Sequence, residues 1–206
     1  MKKLAGFTLV ELVVSIGIII LISSMILFNA PKFNRTMALN RAAREVASTL
    51  RLAQARATQV RAVGGVFPKN YGVQFNTDVS KNNEFTIFSD SVDETCTAGV
   101  GNNHYDSACT GTTEKDTAIT FKLGGGIKIS RLAGPNLPLA ECPAGTNEYS
   151  TLNVLFFRPD PSITVTCGPN ELVGTSGAFR IYVKSPDGSL PEKEVHVWLT
   201  GQISVK

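Results

Sequence analysis

The sequence predicts an α+β fold in which one long N-terminal helix precedes a mostly antiparallel β domain. Three observations predict it. Residues 7–30 form an apolar run whose only charge is Glu11, and residues 32–62 repeat apolar side chains at spacings of three and four. From residue 65 onward the period changes to the alternation of short strands. The 206 residues suffice for one globular domain plus an anchor, and are too few for two ordinary domains in addition. The hydrophobic fraction is 43%, but part of it is concentrated in the N-terminal run, so the remainder is more polar than the total suggests. The net charge is +3, and two of those charges sit on Lys2 and Lys3 at the start of the chain, which leaves no general case for a nucleic-acid partner.

The apolar run is twenty-four residues long, enough for a helix to cross roughly 30 Å of hydrocarbon. A secretory signal peptide is the competing reading, and its cleavage needs small residues at the last and third-last positions removed. A cut after Ala30 would put Phe28 at the third-last position and Pro31 just beyond, a poor site. Glu11 is the informative residue, because a carboxylate in mid-membrane costs about 2.5–3.5 kcal/mol and persists mainly where it has a partner. A shallow Glu11 that reaches the headgroups is the simpler alternative. A cut after Gly6 would place a new α-amine on Phe7, four residues before Glu11.

The stretch K-K-L-A-G followed by F-T-L-V-E-L resembles the class III leader of type IV pilins and type II secretion pseudopilins. The resemblance implies that residues 1–6 are a leader, that a prepilin peptidase cuts between Gly6 and Phe7, and that Phe7 is then N-methylated. It also implies that Glu11, at the fifth mature position, serves assembly. The partners implied are other pilin or pseudopilin subunits and an inner-membrane assembly platform. Charge alone leaves orientation open, since Lys2 and Lys3 favour the leader inside while Lys32, Arg35, Arg41 and Arg44 lie beyond the other end. The resemblance places the leader in the cytoplasm and the remainder outside, in a single pass through the inner membrane.

Pro31 removes a backbone donor and crowds the preceding turn, so a kink or break is expected between the membrane part, residues 7–30, and a stem helix within residues 31–63. In the stem, Leu39, Ala43, Val46, Leu50, Ala53, Ala57 and Val60 make one apolar seam. The opposite face carries Lys32, Arg35, Arg41, Arg44, Arg51, Arg56 and Arg61 against Glu45 alone. This basic surface fits subunit contacts along a filament, attraction to phosphate, or simply a solvated face.

Residues 64–206 should form the head. Strands are expected at 71–76, 84–88, 118–123, 126–132, 152–157, 162–167, 178–184, 194–200 and 202–205, separated by signals such as Pro159-Asp160-Pro161 and Pro186-Asp187-Gly188. Residues 89–117 and 133–151 fit no element and read as long loops. They hold three of the four cysteines, Cys96, Cys109 and Cys142, and Cys167 follows in a strand. Without a C-x-x-C pair, two disulfides are the reading outside the cytoplasm, and Cys96–Cys109 with Cys142–Cys167 is the favoured pairing because each would staple a loop.

The spacing of L-F-F-R-P-D-P-S-I-T-V, G-A-F-R-I-Y-V and E-V-H-V-W-L-T-G-Q-I-S-V is similar to the GspH/FimT branch of the pseudopilins. That resemblance implies a long helix packed on a two-sheet, pilin-like head. Some relatives of that branch bind DNA during natural transformation through a Gly-Arg-x-Arg element near the C-terminus. Here Gly201-Gln202-Ile203-Ser204 lacks both arginines, which argues against carrying DNA binding over. No catalytic constellation is present, and no cofactor or metal ligand set is expected. His104 and His196 are isolated, and Gly124-Gly125-Gly126 lacks the Lys-Ser/Thr of a phosphate loop and reads as a bend or bulge. The chain is therefore expected to be a structural subunit of a type II secretion pseudopilus or a type IV pilus, not an enzyme. A DNA-uptake pilin is the alternative.

Overall fold

The structure, a computed structural model, describes residues 8–59, 70–90, 118–134, 150–157, 163–167, 170–172 and 177–206. It divides into two compact units, Met1–Met37 and Ala38–Lys206. A single helix, α1 (Leu9–Thr58), contributes to both, with Pro31 inside it. The break expected at Pro31 is therefore absent. Proline withholds one donor, that for the Leu27 carbonyl, and a lone missing bond does not stop a helix already propagated on both sides. The helix closes at Thr58, where Gln59 N donates to the Ala55 carbonyl at 3.2 Å, and Val60 and Arg61 lie outside the described residues.

Among the described residues of the second unit ten strands form two sheets. One runs β3 (Ile119–Lys122), β2 (Glu84–Asp90), β1 (Asn70–Asn76), β5 (Thr151–Phe157), β6 (Ile163–Cys167) and β7 (Asn170–Leu172). The other runs β10 (Ile203–Val205), β9 (Lys193–Trp198), β8 (Ala178–Lys184) and β4 (Lys128–Ala133). Every pairing is antiparallel. The α+β class, the long helix and the two antiparallel sheets are thus as expected. All nine expected strands are present, most with ends displaced by one or two residues. The tenth, β7, is only three residues long and carries no alternation to reveal it.

The seam of the helix and the inner faces of both sheets make one core. Leu39, Ala43, Val46, Leu50, Ala53 and Ala57 are all buried, together with Ala42 and Ala47. Alanine at so many of these positions lets the helix backbone approach the sheets closely. From the six-stranded sheet come Val73, Phe75, Phe85, Ile87, Leu152, Val154 and Val165; from the other come Ile129, Leu132, Phe179, Ile181, Val183, Val195 and Val197. Burial of a large aliphatic or aromatic side chain contributes about 1.5–3 kcal/mol, so this core dominates the stability of the unit.

Two local devices adjust the sheets. The chain leaves β3 for β4 through Gly124-Gly125-Gly126, where φ is +68° at Gly125 and +71° at Gly126 and Ile127 N donates to the Gly124 carbonyl at 3.3 Å. Two consecutive positive φ values define a turn that side chains with a Cβ adopt at a cost. In β4 the register slips between Ile129 and Arg131, so Ser130 is the bulged residue. That extra residue reverses the alternation, which is why Ile127, Ile129 and Leu132, spaced two and then three apart, all reach the core.

Gly72 in β1 lies directly beneath the buried Phe88 ring: an added Cβ would sit 2.5 Å from Phe88 Cζ. Gly72→Ala is expected to destabilise the Ala38–Lys206 unit by about 1–3 kcal/mol. Urea unfolding should show this loss, and Phe88→Leu added to Gly72→Ala should recover part of it.

Candidate functional site

The N-terminal unit is the unusual surface of this molecule. Every residue from 8 to 27 is exposed, including Leu9, Val10, Leu12, Val13, Val14, Ile16 and Ile18 to Ile22. Monomeric soluble proteins rarely expose apolar patches beyond a few hundred Å². Among the described residues α1 is the one helix long and apolar enough to cross a membrane. Two of its serines bond back to the preceding turn: Ser15 donates to the Glu11 carbonyl at 2.7 Å, and Ser24 to the Leu21 carbonyl at 2.9 Å. Hydroxyls bonded back to the preceding turn can sit in an apolar setting at little cost.

Glu11 stands in the first turn of the helix. Thr8 precedes that turn as its cap, with Glu11 N donating to Thr8 Oγ1 at 3.2 Å and Leu12 N to the Thr8 carbonyl at 3.2 Å. Thr-x-x-Glu is the pattern of a capping box, and a carboxylate there also meets the positive end of the helix dipole. The Glu11 backbone amide is therefore part of the cap, a pattern that Thr8-Leu9-Val10-Glu11 could have revealed. Gly6 and Phe7 lie outside the described residues.

The basic surface is less uniform than its spacing suggests. Lys32 and Arg35 are exposed in the first unit; in the second, Arg41, Arg44 and Arg51 are exposed and Arg56 is half-buried. With 3.6 residues per turn, Arg41 and Arg44 lie opposite the buried seam while Arg51 and Arg56 flank it. Arg51 donates through Nη2 to the Ile203 carbonyl at 3.2 Å, and Gln54 through Nε2 to the Gly201 carbonyl at 3.3 Å. The first satisfies a carbonyl of β10, an edge strand, and the second one in the turn before it, so Arg51 serves the fold. The same bonds engage the Gly201-Gln202-Ile203-Ser204 segment, which forms the β9–β10 turn and the start of β10.

Cys167 ends β6, is buried and is disulfide-bonded; Cys96, Cys109 and Cys142 lie outside the described residues, as do His104 and Arg158. Arg180 and Lys184 share the outward face of β8, whereas Lys193 is in phase with the inward Val195. The outward face also holds Arg131, whose guanidinium carbon lies 3.9 Å from the Tyr182 ring centroid and whose Nη2 is 3.6 Å from Glu192. Beside them His196 Nε2 meets Glu194 Oε2 at 2.8 Å. Cations and carboxylates alternate here, so the face is not a basic patch. Among the described residues no three His, Cys, Asp or Glu side chains group to hold a metal ion.

No family model and no curated protein sequence matches this chain. Among solved structures, the minor pseudopilin EpsH from the type 2 secretion system of Vibrio cholerae is similar, with a TM-score of 0.40 and 12% identity over 82% of this chain and 95% of that one. A likeness of that size carries no argument about function.

Removing the cap should loosen the start of α1 without touching its apolar surface. Thr8→Ala is expected to weaken the first turn by about 1 kcal/mol, seen as roughly fivefold faster amide exchange at residues 9–12 in detergent micelles.

Proposed function

We propose that this chain is a minor pilin or pseudopilin, a structural subunit carried to a filament by its N-terminal helix. In this reading a prepilin peptidase cuts between Gly6 and Phe7 and Phe7 is N-methylated. Residues 7–30 then hold the subunit in the inner membrane, leader side in the cytoplasm and head outside. An inner-membrane assembly platform transfers it into a pseudopilus of type II secretion or a type IV pilus. The observation that carries the reading is the wholly exposed apolar stretch of residues 8–27, whose lone charge is Glu11, five residues after the leader-like Lys-Lys-Leu-Ala-Gly. An apolar surface of that extent needs lipid or identical neighbours to cover it. The disulfide at Cys167 suits a head outside the cytoplasm, and Cys142 is its proposed partner.

Within a filament, Glu11 would pair with the Phe7 α-amine of the adjoining subunit and set axial register by cancelling two charges where the dielectric is low. Completion of a capping box by the Glu11 side chain is a rival account of the same residue, and the two separate experimentally. Glutamine at this position still completes a capping box but carries no charge. Glu11→Gln and Glu11→Ala should both insert into the membrane and both fail to enter filaments in a shear-fraction assay. Filament entry by Glu11→Gln alone would assign Glu11 to capping and remove the pairing role. Gly6→Asp should accumulate as uncut precursor, read as a missing size shift on a gel.

The DNA-uptake alternative finds no support in the altered Gly201-Gln202-Ile203-Ser204 element, whose carbonyls bind the helix. The Ala38–Lys206 unit is expected to give no mobility shift with duplex DNA even at low salt. A salt-sensitive shift at micromolar protein would restore that alternative.

A further inference from the structure

Between Glu11 and Glu45 the sequence holds no acidic residue, while Lys32 and Arg35 stand just beyond the apolar stretch. The unbroken passage of α1 through Pro31 fixes the height of these two cations. At 1.5 Å per residue they lie about 3 Å and about 7.5 Å past Ala30 along the helix axis, at the level of the headgroup layer, roughly 5–7 Å thick, that flanks the hydrocarbon. A break at Pro31 would have uncoupled them from that layer. Both side chains are exposed. Three residues apart, they are neighbours on the helix surface with Cβ atoms about 5–6 Å apart, close enough to meet one phosphate together. On their N-terminal side Leu21, Ile22, Met25, Ile26, Ala30 and Phe33 line an open apolar groove of about 550 Å³. Lys32 follows Met25 by seven residues and Leu21 by eleven, spacings that return to within about 20° of the same face. The groove therefore leads away from the cations into the apolar stretch.

We infer that this surface binds one anionic phospholipid, its phosphate on Lys32 and Arg35 and an acyl chain along the groove. Charge complementarity selects the headgroup. A zwitterionic lipid brings its own cation to the phosphate, whereas an anionic lipid offers a net negative charge to two cations in a stretch, residues 12–44, that has no carboxylate to compete. The aliphatic stems of both side chains cover apolar surface while their charged ends reach the phosphate. In the proposed orientation the pair stands on the side of the membrane where flanking Lys and Arg are normally scarce. The cations therefore work against insertion unless a contact compensates them, and a phosphate at their own level supplies it. The inference rests on the membrane span of the proposed function and not on filament entry.

The test places the full chain in phosphatidylcholine bicelles and follows amide shifts at residues 32–36 by NMR while phosphatidylglycerol replaces part of the phosphatidylcholine. The shifts should grow and saturate with phosphatidylglycerol. Lys32→Gln with Arg35→Gln, which keeps good helix formers at both positions, should reduce them at least about threefold. Lys2→Gln with Lys3→Gln, an equal loss of charge before the apolar run, should leave them unchanged. A lipid spin-labelled in mid-chain should broaden residues 14–24, which reports the span separately. Without that broadening the span falls and the inference with it. Broadening without a phosphatidylglycerol response, or an equal response in the Lys32→Gln, Arg35→Gln variant, overturns the inference alone. So does the same shift produced by inorganic phosphate in pure phosphatidylcholine, or contact between two copies of the chain at Met25 and Phe33 in place of lipid.

Discussion

The structure depends on the close approach of one helix to two sheets. Ala42, Ala43, Ala47, Ala53 and Ala57 have no side chain beyond Cβ to hold the sheets away, and Leu39, Val46 and Leu50 fill the spaces between them. Interiors packed to crystal density tolerate little change in volume, so the small residues are as necessary to this core as the large ones. Phe75, Phe85, Phe156 and Phe179 then complete it from the sheet side. The helix also bonds the C-terminal edge strand through Arg51 and the turn before it through Gln54, joining the first third of the chain to its last residues.

The same helix meets opposite demands along its length. Residues 38–58 have a buried and a solvated side, which is what packing on a protein core produces. Residues 9–27 are apolar on all sides and bury none of them, which is what a hydrocarbon solvent or a bundle of like helices would require. Glu11 is tolerable in such a stretch because it stands at the very start, beside free backbone donors and the positive end of the dipole.

Away from the core, the two sheets present different outer faces. The four-stranded sheet mixes cations and carboxylates, with Glu194 hydrogen-bonded to His196 and Glu192 3.6 Å from Arg131. The six-stranded sheet instead aligns neutral amides and hydroxyls across five strands, tied at Asn153 and ending in a concavity. Both faces are functions of register: a slip of one residue in any strand would exchange these side chains for the valines and phenylalanines beneath them.

The helix seam, the apolar run and nine of the ten strands were legible in the sequence because each is a periodic pattern within a short window. Thr8 as a cap is legible too, in Thr-Leu-Val-Glu. What stayed hidden was relational. Pro31 leaves the helix unbroken, since the turns on both sides keep their bonds. Ser130 bulges and reverses the phase of β4, and β7 exists only by pairing with β6. Arg51 resembles any exposed cation until β10 lies beside it. The sequence by itself determined which residues are buried and which segment seeks an apolar solvent, because hydrophobic periodicity is a local property. Only the tertiary structure decided which strands are neighbours and therefore which polar groups meet, because register joins residues as far apart as Gln74 and Asn153 and no local pattern encodes that distance.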